Sequence, residues 1–208
     1  MQVTVTGFEP FAGVPHNPSE AVVRALPSHV PGLPEVWLRT AILPVDTIRV
    51  RPRLKELWDE QPGALIHLGV AANATTLALE TRAENRLDFR VADNGGATPR
   101  QEPVEPGGPV LVGTRLPVDL IADWLDRSGV PARMSRSAGT FLCNQVMYLS
   151  LRALPASIPT GFVHLPPDET LAEALGRQAP FSSARAMDGV LATVRWTAEL
   201  ALARRDDG

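Results

Sequence analysis

The feature that most restricts the fold of this chain is a repeated alternation of short apolar strands with helical segments. The run Ala64–Leu68 is continuously apolar and lies between Gly63 and Gly69, as expected for a strand that is covered on both faces. Further strands are predicted at Gln2–Thr6, Glu35–Leu43, Thr75–Arg82, Ala132–Ser135 and Gly161–Leu165. This alternation predicts an α/β sandwich built on a largely parallel, twisted sheet.

The helical segments lie between these strands. Asn17 followed by Pro18 is a typical helix start, with Asn17 as the N-cap. Further helices are predicted over Asp46–Asp59, over Pro117–Leu125, from about Cys143, and after a cap at Ser182 or Ser183, whereas residues 93–113 have turn signals and no periodicity.

In such sheets, active sites form at the carboxyl ends of the strands. The loop after Thr6, the loop after Leu68 and the residues around His164 all lie at strand ends of this kind. The helix that starts near Cys143 follows the strand Ala132–Ser135, so we expect it to open on the same edge. These segments are therefore predicted to share one crevice.

Bulk properties exclude several classes of function. The 208 residues carry a net charge of −3, which gives no electrostatic reason for nucleic-acid or membrane binding. We see no signal peptide at the N-terminus and no run of about 20 apolar residues that would span a membrane. The single cysteine allows no internal disulfide, and no Cys/His cluster has zinc-ligand spacing. We therefore expect a cytoplasmic protein without a metal.

That single cysteine, Cys143, lies in the string Ser137-Ala-Gly-Thr-Phe-Leu-Cys-Asn144. The string predicts a turn that leads into a helix, with the thiol in the first helical turn. Unpaired backbone N–H groups and the helix dipole stabilise a thiolate there, and a thiolate is a nucleophile. The pattern therefore favours acyl transfer through sulfur, although a lone cysteine is more commonly a small apolar filler.

A thiol nucleophile needs a histidine, and the histidine needs a group that orients its ring. His16 and His29 lie in loops and are interpreted as surface residues, whereas His67 and His164 both end apolar strands and are barely separable by pattern. The acidic candidates for the third group are Glu80, Glu84, Asp88 and Asp93. Glu80 is the most unusual because its neighbours are apolar, yet an ion pair with Arg82 or Arg90 explains it equally well.

Four segments taken together resemble the pyroglutamyl peptidase I family, which consists of cysteine peptidases unrelated to papain. They are Thr6-Gly-Phe-Glu-Pro-Phe-Ala-Gly13 with Asn17-Pro-Ser19; Glu80 with Ala83, Asn85, Asp88-Phe-Arg-Val91 and Asp93-Asn94; Ser137–Asn144 with Tyr148; and Phe162-Val-His-Leu-Pro166. Their order and spacing fit the family across nearly the whole chain.

The resemblance implies that Cys143 is the nucleophile, His164 its base and Glu80 the residue that orients His164. It implies removal of N-terminal pyroglutamate (5-oxoproline) from peptides without a metal or cofactor. It also implies one three-layer α/β/α domain over residues 1–208, often assembled as a homotetramer.

The resemblance also implies a substrate pocket. Phe8 and Phe11 would hold the lactam ring between them, and backbone groups beside Val70 would bind its polar atoms. The remaining positions that match the family's site are Asn17, Arg90, Val91, Phe141 and Leu142. Arg90 would support the oxyanion or orient neighbouring loops. For Phe8 and Phe11, ordinary loop-to-core packing is the alternative.

The chain departs from the family's pattern at three places. After the strand that ends at Leu68, the family usually has a glycine followed by a Gly-Gly-Arg run. This chain has Gly69-Val-Ala-Ala-Asn-Ala74 there, with no arginine. Thr81 stands where many members have arginine, and Ala12 replaces a usual glycine. These departures bear on the 69–74 loop and on lactam recognition, and they leave the three expected catalytic residues unchanged.

Other functions remain open at the level of sequence. A cysteine amidase or acyltransferase of different specificity would use the same three residues with another pocket. A phosphate-dependent glycosyl-transfer enzyme on a similar sheet would need an anion site and would not depend on Cys143. A catalytically silent interaction domain would fold with an unreactive thiol.

Overall fold

A seven-stranded sheet runs through the computed structural model, which describes residues 1–180 and 182–206. The strands are β1 (Gln2–Phe8), β2 (His29–Val30), β3 (Leu33–Leu43), β4 (Ala64–Val70), β5 (Leu77–Glu80), β6 (Arg82–Glu84), β7 (Leu111–Gly113), β8 (Ala132–Ser135) and β9 (Thr160–Leu165). The order in the large sheet is β2-β3-β1-β4-β9-β5-β8, and β6 pairs with β7 in a small second sheet.

Most neighbouring strands are parallel, as predicted. The pairs β1–β3, β1–β4, β4–β9 and β5–β8 are parallel, whereas β2–β3 and β5–β9 are antiparallel. Only residues 71–76 join β4 to β5, which is too short for the crossover that a parallel return needs. As a result β5 and β8 run against β9, so β8 ends at the opposite edge from β9, although the helix that follows β8 opens beside His164 as expected.

Helices cover both faces of the large sheet. They are α1 (Pro18–Ala25), α2 (Val50–Asp59), α3 (Val118–Arg127), α4 (Leu142–Ala153), α5 (Glu169–Ala174) and α6 (Ser183–Asp206). One hydrophobic core joins α1, α3 and α6 to the sheet, and a separate core joins α2 and α4 to its other face. The architecture is therefore the three-layer α/β/α sandwich that was expected.

Several elements differ in detail from the sequence predictions. The predicted strand Thr75–Arg82 is two strands, β5 and β6, which belong to different sheets. Helix α2 begins at Val50 rather than Asp46, because the Asp46 carboxylate accepts hydrogen bonds from the backbone N–H groups of Ile48 and Arg49 and forms a turn there. Helix α5 was not predicted.

In the described part of the chain, none of the helices combines the length and apolar character that a membrane span requires.

Candidate active site

The start of α4 presents Cys143 at the carboxyl edge of β4 and β9. Cys143 is the second residue of the helix, and the extended backbone of Phe141 precedes it. The backbone N–H groups of Leu142 and Cys143 have no carbonyl within the helix to which they can donate. The Asn144 side chain holds this end of α4 in place, because its amide bonds to the backbone N–H and C=O of Glu84. The local sequence thus builds the helix start that was expected around the thiol.

Close packing against β4 sets the position of the Cys143 sulfur, and Cys143 is half-buried. A Cβ atom placed on Gly69 would lie 2.9 Å from the Cys143 Sγ and 2.7 Å from the Phe162 Cζ. Both distances are shorter than real contacts of this kind, so only glycine leaves room for the thiol and the Phe162 ring at this point.

His164 and Glu80 form a buried pair on neighbouring strands. His164 on β9 lies opposite Gly69 on one side and Ala78 on the other. Its Nδ1 lies 2.8 Å from the Glu80 Oε1. The side chain of Glu80 is 2% exposed, and its Oε2 has no hydrogen-bond partner within residues 1–180 and 182–206.

Burial and charge act on His164 in opposite directions. Burial lowers the pKa of His164, but the charge and hydrogen bonding of the Cys143 sulfur, together with Glu80, outweigh burial and raise the pKa to about 9. The His164 ring is therefore a cation at neutral pH, with the Glu80 carboxylate at Nδ1 and with Cys143 in the wall of the same cavity.

His67 has a different environment, although its local sequence pattern is the same. Its Nδ1 lies 2.7 Å from the Thr6 Oγ1, and its Nε2 lies 2.9 Å from the Ser150 Oγ. Burial lowers the pKa of His67 to about 3, so its ring is neutral at physiological pH. His67 is a hydrogen-bonded core residue, and the structure brings His164 rather than His67 to the thiol.

Two of the remaining acidic candidates, Asp93 and Asp88, have other partners. Asp93 accepts hydrogen bonds from the backbone N–H groups of Thr47, Gly95 and Ala97 and shapes a loop. Asp88 pairs with Arg86. The alternative ion pairs of Glu80 with Arg82 or Arg90 are not formed: Glu80 contacts His164, and the Arg82 Nε donates to the Arg136 backbone carbonyl.

A cavity of about 130 Å³ opens beside the thiol and the imidazole. Its lining includes eight residues that the sequence analysis named and two that it did not: Phe8, Phe11, Asn17, Val70, Phe141, Leu142, Cys143 and His164, with Val45 and Ala138. The lining is mainly apolar, and the Phe11 and Phe141 rings lie 5.7 Å apart between centroids. The cavity therefore suits a small, uncharged group held next to a nucleophile.

Arg90 and Val91 do not line this cavity, and both are exposed. Val45 was missed, although it follows the carboxyl end of β3, the same kind of position that selected the loops after Thr6 and Leu68. Ala138 belongs to the Ser137–Asn144 string but carries no reactive group, so nothing in its side chain distinguished it.

Asn17 lines the cavity but is occupied with structural hydrogen bonds. Its Oδ1 accepts from the backbone N–H and the hydroxyl of Ser19, and its Nδ2 donates to the Glu9 backbone carbonyl. Asn17 thus caps α1, as predicted, and also holds the loop that carries Phe11. In the same loop Ala12 has a φ of 54°, a left-handed conformation that glycine adopts more easily.

Within the described ranges, the structure does not bring three His, Cys, Asp or Glu side chains together in a way that could hold a metal ion.

Comparison with known proteins places this arrangement in a family. The model of the family described as pyroglutamyl peptidase matches residues 1–203. The chain is 36% identical to the pyrrolidone-carboxylate peptidase of Pyrococcus furiosus, over 97% of this chain and 98% of that one. It resembles the crystal structure of pyrrolidone carboxyl peptidase from Thermus thermophilus with a TM-score of 0.87 and 44% identity, over 92% of this chain and 98% of the other. It also resembles that from Thermococcus litoralis, with a TM-score of 0.87 and 30% identity over 95% and 93%. The chain therefore belongs to the pyroglutamyl peptidase family.

Proposed function

We propose that this protein hydrolyses the bond after an N-terminal pyroglutamyl residue of peptides, with Cys143 as nucleophile. The observation that carries the proposal is the meeting of the chain's only thiol with a buried, charged imidazole at a mainly apolar cavity. Family membership and the names of its relatives support the same substrate class.

The proposed reaction has two steps. The Cys143 thiolate attacks the scissile carbonyl carbon, and the His164 imidazolium gives its proton to the departing amine, which leaves a thioester. His164 then takes a proton from water, whose oxygen attacks the thioester, and the Cys143 sulfur leaves as pyroglutamate is released. Glu80 holds the His164 ring through Nδ1 and balances the positive charge in both steps.

The start of α4 offers donors for the oxyanion. The backbone N–H groups of Leu142 and Cys143 are free within the helix, and they lie at the positive end of its dipole. One donor of this kind typically contributes about 3–4 kcal/mol to transition-state stabilisation. We propose that Arg90, which is exposed in this structure, orients neighbouring loops or supports the oxyanion once substrate is bound.

Pyroglutamate is a neutral lactam, so its pocket needs apolar walls and few polar groups. We propose that Phe8 and Phe11 contact the faces of the ring, with Phe141 and Leu142 completing the wall, whereas Val91 lies outside this cavity. Backbone groups beside Val70 would bind the lactam N–H and C=O. Asn17 contributes to this pocket by holding the loop of Phe11, since its amide is already hydrogen-bonded within the protein.

We also propose the setting in which the enzyme works. It is one peptidase domain over residues 1–208, it needs no cofactor, and it assembles as a homotetramer in the cytoplasm. The reducing cytoplasm suits an enzyme that depends on a free thiol.

The test is release of a fluorophore from a pyroglutamyl amide. We expect turnover by the wild type, and loss of at least about a thousandfold in Cys143→Ala and His164→Gln, because each removes a member of the reacting pair. His29→Gln is the matched control, since His29 is exposed, and it should keep wild-type activity. Alkylation of Cys143, the only cysteine, should abolish turnover.

Parallel assays separate the alternatives. Preference for prolyl or glutamyl amides over pyroglutamyl amides would replace the proposal with an amidase of other specificity. Turnover that requires phosphate and survives Cys143→Ala would indicate a glycosyl-transfer enzyme instead.

A further inference from the structure

The segment that follows His164 carries a short helix with a polar anchor at each end. It begins with Pro166-Pro167-Asp168, continues through α5 and ends at Gly176 and Arg177. We call residues 166–177 the brace. Its position is fixed by the strand β9 that also carries His164, so anything the brace holds is placed relative to the His164 ring.

At the first end, Asp168 does two things at once. Its Oδ1 accepts a hydrogen bond of 2.9 Å from the Leu171 backbone N–H and caps α5. Its Oδ2 lies 2.6 Å from the Nε2 of His16. The side chains of His16 and Asp168 are 25% and 10% exposed, so the contact is partly shielded from water. The interpretation of His16 as a simple surface residue is therefore wrong.

His16 lies next to Asn17, at the end of the loop that carries Phe11. Asn17 holds this end of the loop to the Glu9 carbonyl, and near the beginning of the loop Asn94 donates to the Glu9 carboxylate and to the Pro10 carbonyl. Between them the chain turns through Ala12 and Gly13, both with positive φ. The contact of His16 with Asp168 is thus what ties the far side of the Phe11 loop to the brace.

At the second end of the brace, the last turn of α5 fixes the direction of Arg177. Gly176 has a φ of +65°, and the backbone N–H groups of Gly176 and Arg177 donate to the carbonyls of Glu173 and Ala172 at 2.9 and 2.8 Å. This is a glycine-dependent helix ending that fixes the direction of the next residue. The Arg177 Nη1 then donates to the Ala72 carbonyl and to the Asn73 Oδ1, both at 3.0 Å.

Arg177 therefore holds the loop that follows β4, whose last residue, Val70, lines the cavity. This is the loop that lacks the arginine usual in the family. A guanidinium from the end of α5 now contacts the carbonyl and the side chain of that loop. The two loops that flank the thiol and the imidazole are thus each joined to one end of the same helix.

We propose that the brace sets the width of the substrate cavity by holding both loops, with His16, Asp168 and Arg177 as positioning residues. The kinetic part of this proposal rests on the proposed pyroglutamyl peptidase activity. None of the three residues lines the cavity beside Cys143, so we expect them to affect the binding of substrate rather than the reactivity of the thiol.

Kinetics of His16→Ala and Arg177→Ala test the proposal. We expect each variant to raise KM for a pyroglutamyl amide roughly fivefold, as suits a partly exposed polar contact, with kcat within about twofold of wild type. The alkylation rate of Cys143 should not change. His16→Gln and Arg177→Lys can each remake one hydrogen bond and should restore most of KM. Arg24→Ala removes an exposed pair with Glu20 and is the matched control, with no effect.

Amide hydrogen exchange tests the brace without activity. His16→Ala should speed exchange at the Val14 N–H, which bonds to the Phe11 carbonyl, and Arg177→Ala should speed it at the Ala74 N–H, which bonds to the Ala71 carbonyl. Unchanged exchange at both sites, or a KM that Gln and Lys do not restore, would overturn the proposal. If the wild type does not cleave pyroglutamyl amides, the proposed function fails, and exchange alone decides on the brace.

Discussion

His164 and His67 lie on adjacent strands, face the same layer of helices and differ in charge at neutral pH. His164 has a carboxylate at one ring nitrogen and is influenced by the charge of the Cys143 sulfur, whereas His67 has a hydroxyl at each ring nitrogen. Two hydroxyls suit a neutral imidazole, because one can donate to the unprotonated ring nitrogen while the other accepts from the ring N–H. A carboxylate only accepts, so the Glu80 oxygen requires a proton on the His164 Nδ1, and the charges of Glu80 and the sulfur favour the doubly protonated ring.

The charge of His164 depends on the sulfur, and this gives a prediction for Cys143→Ala. The variant removes the charge and the hydrogen bond of the sulfur, so we expect the pKa of His164 to fall from about 9, because burial then opposes Glu80 alone. NMR titration of the ring protons measures this value. An unchanged pKa would mean that the sulfur does not act on His164.

The same shift predicts how stability depends on pH. The pKa of His164 in the folded protein lies above the value of 6.5 that it has in the unfolded chain. Its contribution to stability is therefore complete below pH 6.5 and is lost as pH rises to about 9. The free energy of unfolding of the wild type should fall more steeply over this range than that of Cys143→Ala.

At this scale the sequence alone could not separate the two histidines. Both follow three apolar residues in a buried strand. They differ in how close each lies to the carboxyl ends of the strands. The register pairs His67 with Phe162 and His164 with Gly69, so His164 lies nearer that edge of the sheet. Register is a property of paired strands and cannot be read from either strand by itself. The family resemblance supplied the choice that the local pattern left open.

Among the elements, β4 and the start of α4 pack so closely that Gly69 has no room for a side chain. Gly69→Ala would place a methyl group against the Cys143 sulfur and the Phe162 ring. We expect it to displace the thiol, to lower kcat at least about tenfold, and to cost roughly 1–3 kcal/mol of stability through overpacking.

Gly113→Ala is the control for this substitution. Gly113 lies at the end of β7, and a Cβ there would have no heavy atom within 4 Å. The variant should keep both its activity and its denaturation midpoint. Wild-type kcat in Gly69→Ala would show that the start of α4 can move away without harm to the reaction.

The sequence predicted the elements well where a single local pattern, such as a helix cap or a short apolar run, determined the structure. Strand β8 has the predicted bounds, and Asn17 caps α1 as expected. The predictions failed where tertiary contacts decided the outcome. Thr81 ends β5 because its backbone N–H and its hydroxyl both donate to the Ser135 carbonyl, a contact with a residue far away in the chain. Helix α5 is too short for a hydrophobic period to be recognised.

On the scale of the whole molecule, His67 links the central sheet to the helical layer that carries the site. It joins Thr6 on β1 to Ser150 on α4 from within the core. The pKa of His67 falls from 6.5 in the unfolded chain to about 3 in the folded protein. The unfolded chain therefore binds the extra proton, and stability decreases as pH falls from about 6.5 towards 3.

Urea unfolding between pH 7 and pH 4 measures this effect. We expect His67 to contribute a slope that approaches about 1.4 kcal/mol per pH unit, which is the limit for one proton. His67→Gln should be less stable at pH 7 but should lose this part of the slope, whereas His29→Gln should keep it. Equal slopes in all three proteins would mean that His67 is protonated in the folded state.

The arrangement of the two hydrophobic cores has a consequence for engineering. The proposed reacting groups all face the layer of α2 and α4, and the layer of α1, α3 and α6 is separated from them by the sheet. Among the described residues, the side chain that this second layer contributes to the cavity wall is that of Asn17, the cap of α1. Residues such as Ile121 and Val194 can therefore be changed to raise heat tolerance without altering the residues that are proposed to react. The stability gained there would then offset the destabilising effect of later substitutions in the cavity that change its specificity.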